Sequence, residues 1–157
     1  MKTIQLTKDK IALVDDEDYE YLNQWKWNAY KKTDSIFYAA RCVWVDKKPK
    51  NIYMHRVIMK TERGMMCDHI DHDTLNNQKN NLRNCTRQQN QFNKNKYSVS
   101  KNKYKGVSFN GYSWIAKIQF NKKHYYLGTF KTEIDAAKAY DEDAKKYYGE
   151  FANLNFK

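Results

Sequence analysis

Asp68 and His69 stand side by side, Asn81 follows after eleven intervening residues, and Asn90 after eight more. A carboxylate, an imidazole and two amides are the parts of a one-metal site for cutting a phosphodiester. Such a cut needs a nucleophilic water, a group to take its proton, and stabilisation of the charge that builds on the phosphate and the leaving oxygen. A divalent ion supplies that stabilisation. Carboxylate and amide oxygens suit magnesium, with manganese as the alternative, and leave positions for water and phosphate. Histidine suits the base because its pKa lies near neutrality. Taken singly, each residue has a plainer reading as a turn acid, a surface imidazole or a loop-shaping amide. Their joint spacing favours the chemistry.

Neighbours on a strand point to opposite faces, so Asp68 and His69 can serve one site only if the strand stops there. Residues 65–70 read as a short strand ending at His69, residues 71–79 as a polar loop, and residues 81–85 as a returning strand. Thr86-Arg87-Gln88-Gln89 has the form of a capping box, which places Asn90 in the second turn of a short helix. Upstream, residues 10–14, 25–31 and 36–45 read as strands. The acidic run at residues 15–18 reads as a solvated turn or helix N-terminus. The only proline, Pro49, reads as part of a turn over residues 46–50, and residues 53–59 as a strand or short helix.

After a polar stretch over residues 96–102, taken as a linker, the pattern changes. Residues 104–110, 112–120 and 123–130 are candidate strands joined at Asn110-Gly111 and Asn121-Lys122. A helix is expected over residues 132–148, with a capping box at Thr132 and Asp135 and Lys145-Lys146 before Gly149. Strand alternation turns Trp114, Ala116, Ile118 and Phe120 toward that helix and Ile115, Lys117 and Gln119 outward.

The formal charge of +11 over 157 residues favours an anionic partner, most simply nucleic acid. Residues 74–132 hold no Asp or Glu but twelve Lys or Arg and eleven Asn, a one-signed stretch suited to phosphates. No apolar run is long enough for a bilayer span and no basic amphipathic helix stands out, so a membrane partner is not expected. The N-terminus lacks the apolar core of a signal peptide, and the cytoplasm is the expected compartment. The cysteines Cys42, Cys67 and Cys85 are odd in number and widely spaced, which predicts buried free thiols and no structural zinc.

Asp68-His69-Ile70-Asp71-His72-Asp73 through Asn81-Leu82-Arg83 and Thr86-Arg87-Gln88-Gln89-Asn90 closely resembles the HNH endonucleases of phage and mobile-intron homing type. The resemblance covers about residues 52–95. It implies a ββα-metal site in which Asp68 and Asn90 hold the metal, His69 is the general base, and Asn81 steadies the loop carrying it. Many relatives have His at the last position; Asn is an adequate oxygen ligand. Arg56 is a candidate phosphate contact, as are Arg83 and Arg87, and His55 is expected mainly to pack.

A second resemblance lies over about residues 103–156. Tyr104-Lys105-Gly106-Val107, Trp114-Ile115-Ala116-Lys117-Ile118, Leu127-Gly128-Thr129-Phe130, Ala136-Ala137 and Leu154-Asn155-Phe156 look like the plant Apetala and ethylene-response-factor DNA-binding domain. It implies a sheet, backed by one helix, whose open face lies in a DNA major groove. Lys105, Ser108, Asn110, Lys117, Gln119, His124 and Tyr126 match or approach its DNA-contacting positions. Several family arginines are replaced here, so the plant target sequence does not carry over.

The expectation is an α+β chain. An HNH nuclease domain spans residues 1–95, with a β-rich N-terminal extension and a core at about 52–95. A small three-stranded antiparallel sheet packed on one helix spans residues 103–157. The expected function is metal-dependent, site-specific hydrolysis of double-stranded DNA by a monomer, in a phage or mobile-element setting. The alternative is a non-catalytic DNA-binding regulator that keeps the nuclease fold; RNA is the less favoured ligand.

Overall fold

The computed structural model describes residues 1–94 and 102–156, so nearly all of the linker expected at 96–102 lies outside the described residues. The chain divides into two compact units, Met1–Arg87 and Gln88–Lys157. Both mix short helices with small antiparallel sheets, an α+β arrangement.

In the first unit, β1 (Lys2–Gln5) and β2 (Ile11–Val14) form a hairpin whose bend places Lys8 and Asp9 at positive φ. Helix α1 (Asp16–Leu22) starts at the acidic run, where its first-turn acids face the exposed N–H groups. The strand expected at 25–31 is shorter, β3 (Asn28–Lys31). Trp27 is instead fully buried, and its indole N–H donates to the Leu22 carbonyl at 2.8 Å. β4 (Phe37–Val45) pairs with β3 on one side and with β5 (Lys48–Tyr53) on the other. The expected turn at 46–50 is narrower: Asp46 and Lys47 alone bend, both at positive φ, and Pro49 lies in β5. Proline is tolerated there because β5 is an edge strand, with no ladder neighbour to need its missing N–H. Helix α2 (Met54–Ile58) follows directly and buries Met54 and Ile58 with Ile4, Leu6, Val14, Leu22, Trp27 and Leu82. Strands β6 (Met66–His69) and β7 (Leu82–Cys85) pair in a two-stranded sheet, joined by a loop that ends in a 3-10 turn, Lys79–Asn81.

The N-terminal extension holds that loop. Leu13 N–H donates to Leu75 O at 2.9 Å, and Asn77 N–H donates to Leu13 O at 2.8 Å. The Asp15 carboxylate does not cap α1; it accepts from Lys79 N–H at 2.7 Å and Gln78 Nε2 at 3.1 Å. Thr74 Oγ1 donates to Phe37 O at 2.6 Å.

Helix α3 (Arg87–Phe92) starts at the last residue of the first unit and belongs otherwise to the second, where Phe92 stacks on Tyr148 at 3.9 Å. Strands β8 (Val107–Phe109), β9 (Trp114–Phe120) and β10 (Lys123–Phe130) form an antiparallel sheet with β9 central. Helix α4 (Glu133–Tyr148) lies against it, capped by Thr132 Oγ1, which accepts from Asp135 N–H at 3.1 Å. Ala136, Ala137 and Ala144 are fully buried beneath Val107, Ala116 and Ile118. The small side chains bring helix and sheet close together. The buried Asp141 carboxylate accepts from Asn155 N–H and Phe156 N–H and clips the C-terminal segment to the helix. Among the described residues no helix is long and apolar enough to cross a membrane.

Candidate functional site

His69 is the last residue of β6, as the chemistry requires. Beyond it Ile70 N–H still donates to Asn81 O at 2.9 Å, and the chain then turns into the loop. Asn81 closes this turn with both ends of its side chain. Its Oδ1 accepts from Asp71 N–H at 3.0 Å, and its Nδ2 donates to Asn76 O at 2.9 Å. Asn81 therefore braces the loop from inside and is itself buried. Asn81→Ala removes both bonds and leaves the Asp71 N–H and the half-buried Asn76 carbonyl without these partners. It is expected to lower stability by ~1–3 kcal/mol, read as a shift of the urea midpoint at constant m-value.

Asp68 and His69 are 8% and 5% exposed. Burial is the largest influence on the His69 imidazole and lowers its pKa, while the Asn77 side chain and the charges of Asp68, Asp71 and Asp73 oppose it. The ring is therefore neutral at physiological pH, the form a base needs. Its surroundings are aromatic. The His55 ring lies 5.0 Å away edge to face, and Tyr38 lies 6.0 Å away. Burial, reinforced by the neighbouring His69 and Arg56, pushes His55 down to about 3, so this second imidazole is also neutral. Burial and the charge of Asp68 raise the Tyr38 phenol, which stays protonated. Tyr38 escapes sequence reasoning because it lies on another element, while Asn77 lies in the β6–β7 loop, where its amide reads only as loop-shaping. The alternation in β4 could have flagged Tyr38 as half-inward, but not what it faces.

Across the β6–β7 ladder Asp68 is registered with Arg83. The guanidinium donates to Asp68 Oδ2 from Nε at 3.1 Å and from Nη2 at 2.9 Å. Arg83 thus fixes the carboxylate, a contact that its candidacy for phosphate did not anticipate. Arg56 also points inward: Nη1 donates to Met65 O at 2.9 Å and Nη2 to Glu62 O at 3.1 Å, which ties the end of α2 to the start of β6. Arg87 is exposed, and Asn90 is half-buried on α3 in the second unit.

The donor chemistry fits a hard divalent ion. Asp68 and Asn90 offer oxygen only. Burial raises the thiols of Cys67 and Cys85 to about 11, so they offer no thiolate. Among the described residues no three His, Cys, Asp or Glu side chains gather as a metal cluster. A hard ion that keeps waters and takes substrate phosphate needs no such cluster. The expectation of three buried thiols holds only for Cys85; Cys67 is half-buried and Cys42 is exposed.

In the second unit the ladder gathers four candidate DNA contacts. Lys117 pairs with Tyr126 and Gln119 with His124, so the four form a block on the solvent face of β9 and β10. Ser108, opposite Ile115, extends that face. Asn110 is spent on its turn, its Oδ1 accepting from Ser113 N–H at 2.8 Å and Tyr112 N–H at 3.0 Å. Lys105 is directed elsewhere: its ammonium donates to Phe92 O at 2.7 Å and Lys94 O at 2.9 Å, and burial lowers its pKa to about 8.

Comparisons with known proteins agree with both halves. The chain is 41% identical over 64 residues to an ethylene-responsive transcription factor of Arabidopsis thaliana, and 49% identical over 45 residues to dehydration-responsive element-binding protein 2A of the same plant. These matches cover 38% and 27% of this chain but only 15% and 13% of the plant proteins, and they fall on the C-terminal region. A family model described as HNH endonuclease matches residues 52–92. An uncharacterized HNH endonuclease of Acanthamoeba polyphaga mimivirus is 33% identical over 153 residues, which cover 94% of this chain and 76% of the viral protein. With the β6 terminus, the braced loop and the buried imidazole in place, the chain belongs to the HNH endonuclease family and is a DNA-binding nuclease.

Proposed function

We propose that this nuclease hydrolyses phosphodiester bonds in double-stranded DNA with the help of one divalent ion, magnesium, and that it acts at particular sequences. The observation that carries the reading is a buried imidazole at the end of β6, its pKa lowered by burial, beside Asp68 and followed by a loop braced from within. His69 takes the proton from the attacking water. Asp68, fixed by Arg83, and Asn90 are the oxygen ligands. The bound ion supplies charge stabilisation at the phosphate and the leaving oxygen. Asn81 keeps the loop, and with it the base, in place. The block of Lys117, Gln119, His124 and Tyr126 supports an addressing role for the second unit. Lysine can take phosphate or guanine there, and glutamine adenine.

A monomer with one such site nicks one strand per binding event. The role that fits is a phage or mobile-element nuclease, acting in the cytoplasm of the host cell. The test is conversion of supercoiled plasmid to nicked circle with and without magnesium, followed by mapping of the ends. Nicking that needs added magnesium and ends at recurrent sequences is the expected result. Binding to duplex DNA with no nicking under any divalent ion would point to a regulator instead.

A further inference from the structure

The β4–β5 hairpin leaves the first unit as a free ribbon. β3 pairs only with Phe37, Tyr38, Ala39 and Ala40 of β4, so from Arg41 onward β4 has β5 alone as neighbour. Burial changes at the same point: Ala39 and Ala40 are in the core, whereas Cys42, Trp44 and Val45 on one strand and Lys48, Pro49, Lys50 and Asn51 on the other are exposed. From Ala40 to the bend at Asp46-Lys47 the ribbon extends roughly 20 Å at the usual strand rise. A bare two-stranded ribbon is only marginally stable in water. This one is held at its tip by two residues at positive φ, the geometry that matches strand twist.

Trp44 is 73% exposed and faces Pro49 across the ladder. Lys47, Lys48 and Lys50 follow it in sequence, and Lys48 and Lys50, which flank its partner Pro49, turn to the other face of the ribbon, so that the ribbon offers an aromatic face and a basic one; Asp46 is the one acid between Arg41 and Asn51. Lysine and proline on an edge strand guard against aggregation, which accounts for β5. It does not account for a tryptophan held in water on the neighbouring strand. Lysine is depleted in the cores of protein interfaces but is the common neutraliser of phosphate. A DNA major groove about 12 Å wide admits a two-stranded ribbon.

We propose that this ribbon is a DNA-binding arm of the nuclease unit, with Lys47, Lys48 and Lys50 on backbone phosphates and Trp44 packed on the sugar and base surface. The proposal rests on the duplex-DNA reading above. It gives the cutting unit a hold on its substrate that does not depend on the C-terminal sheet.

The experiment measures binding of the full chain to a fluorescent duplex of about 30 base pairs in EDTA, across a salt series. The Lys47→Ala, Lys48→Ala, Lys50→Ala variant is compared with a Lys138→Ala, Lys145→Ala, Lys146→Ala control that loses the same charge from the exposed side of α4. The ribbon variant is expected to lower the slope of log affinity against log salt by roughly 2–3, and the control by less than about 1. Trp44→Ala is expected to weaken binding about tenfold with little change in slope, and Trp44→Phe to restore most of the loss. Circular dichroism and the melting temperature check that each variant folds. Equal slopes for the two triple variants overturn the arm, because net charge alone then explains the effect. Wild-type affinity in both ribbon variants overturns it in favour of a protein partner. If either result comes with magnesium-dependent nicking by the wild type, the nuclease reading stands without the arm. A wild type with no salt-dependent binding to duplex DNA overturns both.

Discussion

His69→Ala is expected to slow plasmid nicking by about 10²–10⁴-fold, the usual contribution of a positioned general base, while leaving affinity for duplex DNA within about twofold. The reasoning starts from burial. An imidazole 5% exposed, with Asn77 beside it and the His55 and Tyr38 rings against it, is closely confined. Because burial lowers its pKa, the ring favours the neutral form at pH 7. The nearby acids keep the charged form within reach once it accepts a proton from water. The two rings packed beside it are poor substitutes. His55 is held down to about 3 and is too weak a base, and the Tyr38 phenol is protonated. The variant leaves a hole between two rings, so His69→Gln, which fills more of the space, serves as the companion. Nicking and binding are measured on the same preparations, with the melting temperature as a check on folding. If His69→Ala nicks at the wild-type rate, the base has been assigned to the wrong residue. If it also fails to bind, the loss is one of structure and the Gln variant decides.

Much of this site could be read locally, and the unread part has a physical cause. The end of β6 at His69, the loop after it and the return through β7 follow from a short apolar run broken by polar residues. The outward set Lys117 and Gln119 and the bend at Asn121-Lys122 follow from period-two alternation and turn chemistry, both properties of adjacent residues. Long-range pairing leaves no such trace. Leu13 bonds to the chain at Leu75 and Asn77, and Asp15 to Lys79, across more than sixty positions. The N-terminal extension therefore reads as separate strands in sequence, whereas it supports the β6–β7 loop. Arg83 shows a second limit. Its charge suggested phosphate, but only the β6–β7 register reveals that Asp68 lies directly opposite. Lys105 and Arg56 show a third: both end on backbone carbonyls, acceptors that every residue carries and that no motif advertises.

Gly106→Ala is expected to destabilise the C-terminal unit by roughly 2–5 kcal/mol, through left-handed backbone cost and overpacking together. Gly106 sits at φ +76 just before β8, and its carbonyl accepts from Lys117 N–H at 2.8 Å. A Cβ there would lie 1.9 Å from Tyr140 Cδ2 and 2.2 Å from Cε2. Tyr140 cannot yield easily. It is 3% exposed on α4 and packs with Ile118, Ala144 and Tyr148. The backbone cannot yield either without stretching the bond to Lys117. Gly111 provides the internal comparison. Its φ of +100 is also unfavourable for alanine, but a Cβ there meets nothing within 4 Å. Gly111→Ala should therefore lose only the conformational part, about 1–2 kcal/mol. For a unit of about 70 residues, total stability is on the order of 4–10 kcal/mol, so the Gly106 variant spends a large share of it. Urea unfolding of the full chain, followed by hydrogen exchange at the amides of β9, reads the difference site by site. Equal losses in the two glycine variants would mean that helix and sheet are not pressed together at Tyr140. A larger loss at Gly106, confined to the amides of β8–β10 and α4, would show that the face carrying Lys117, Gln119, His124 and Tyr126 depends on that one close approach.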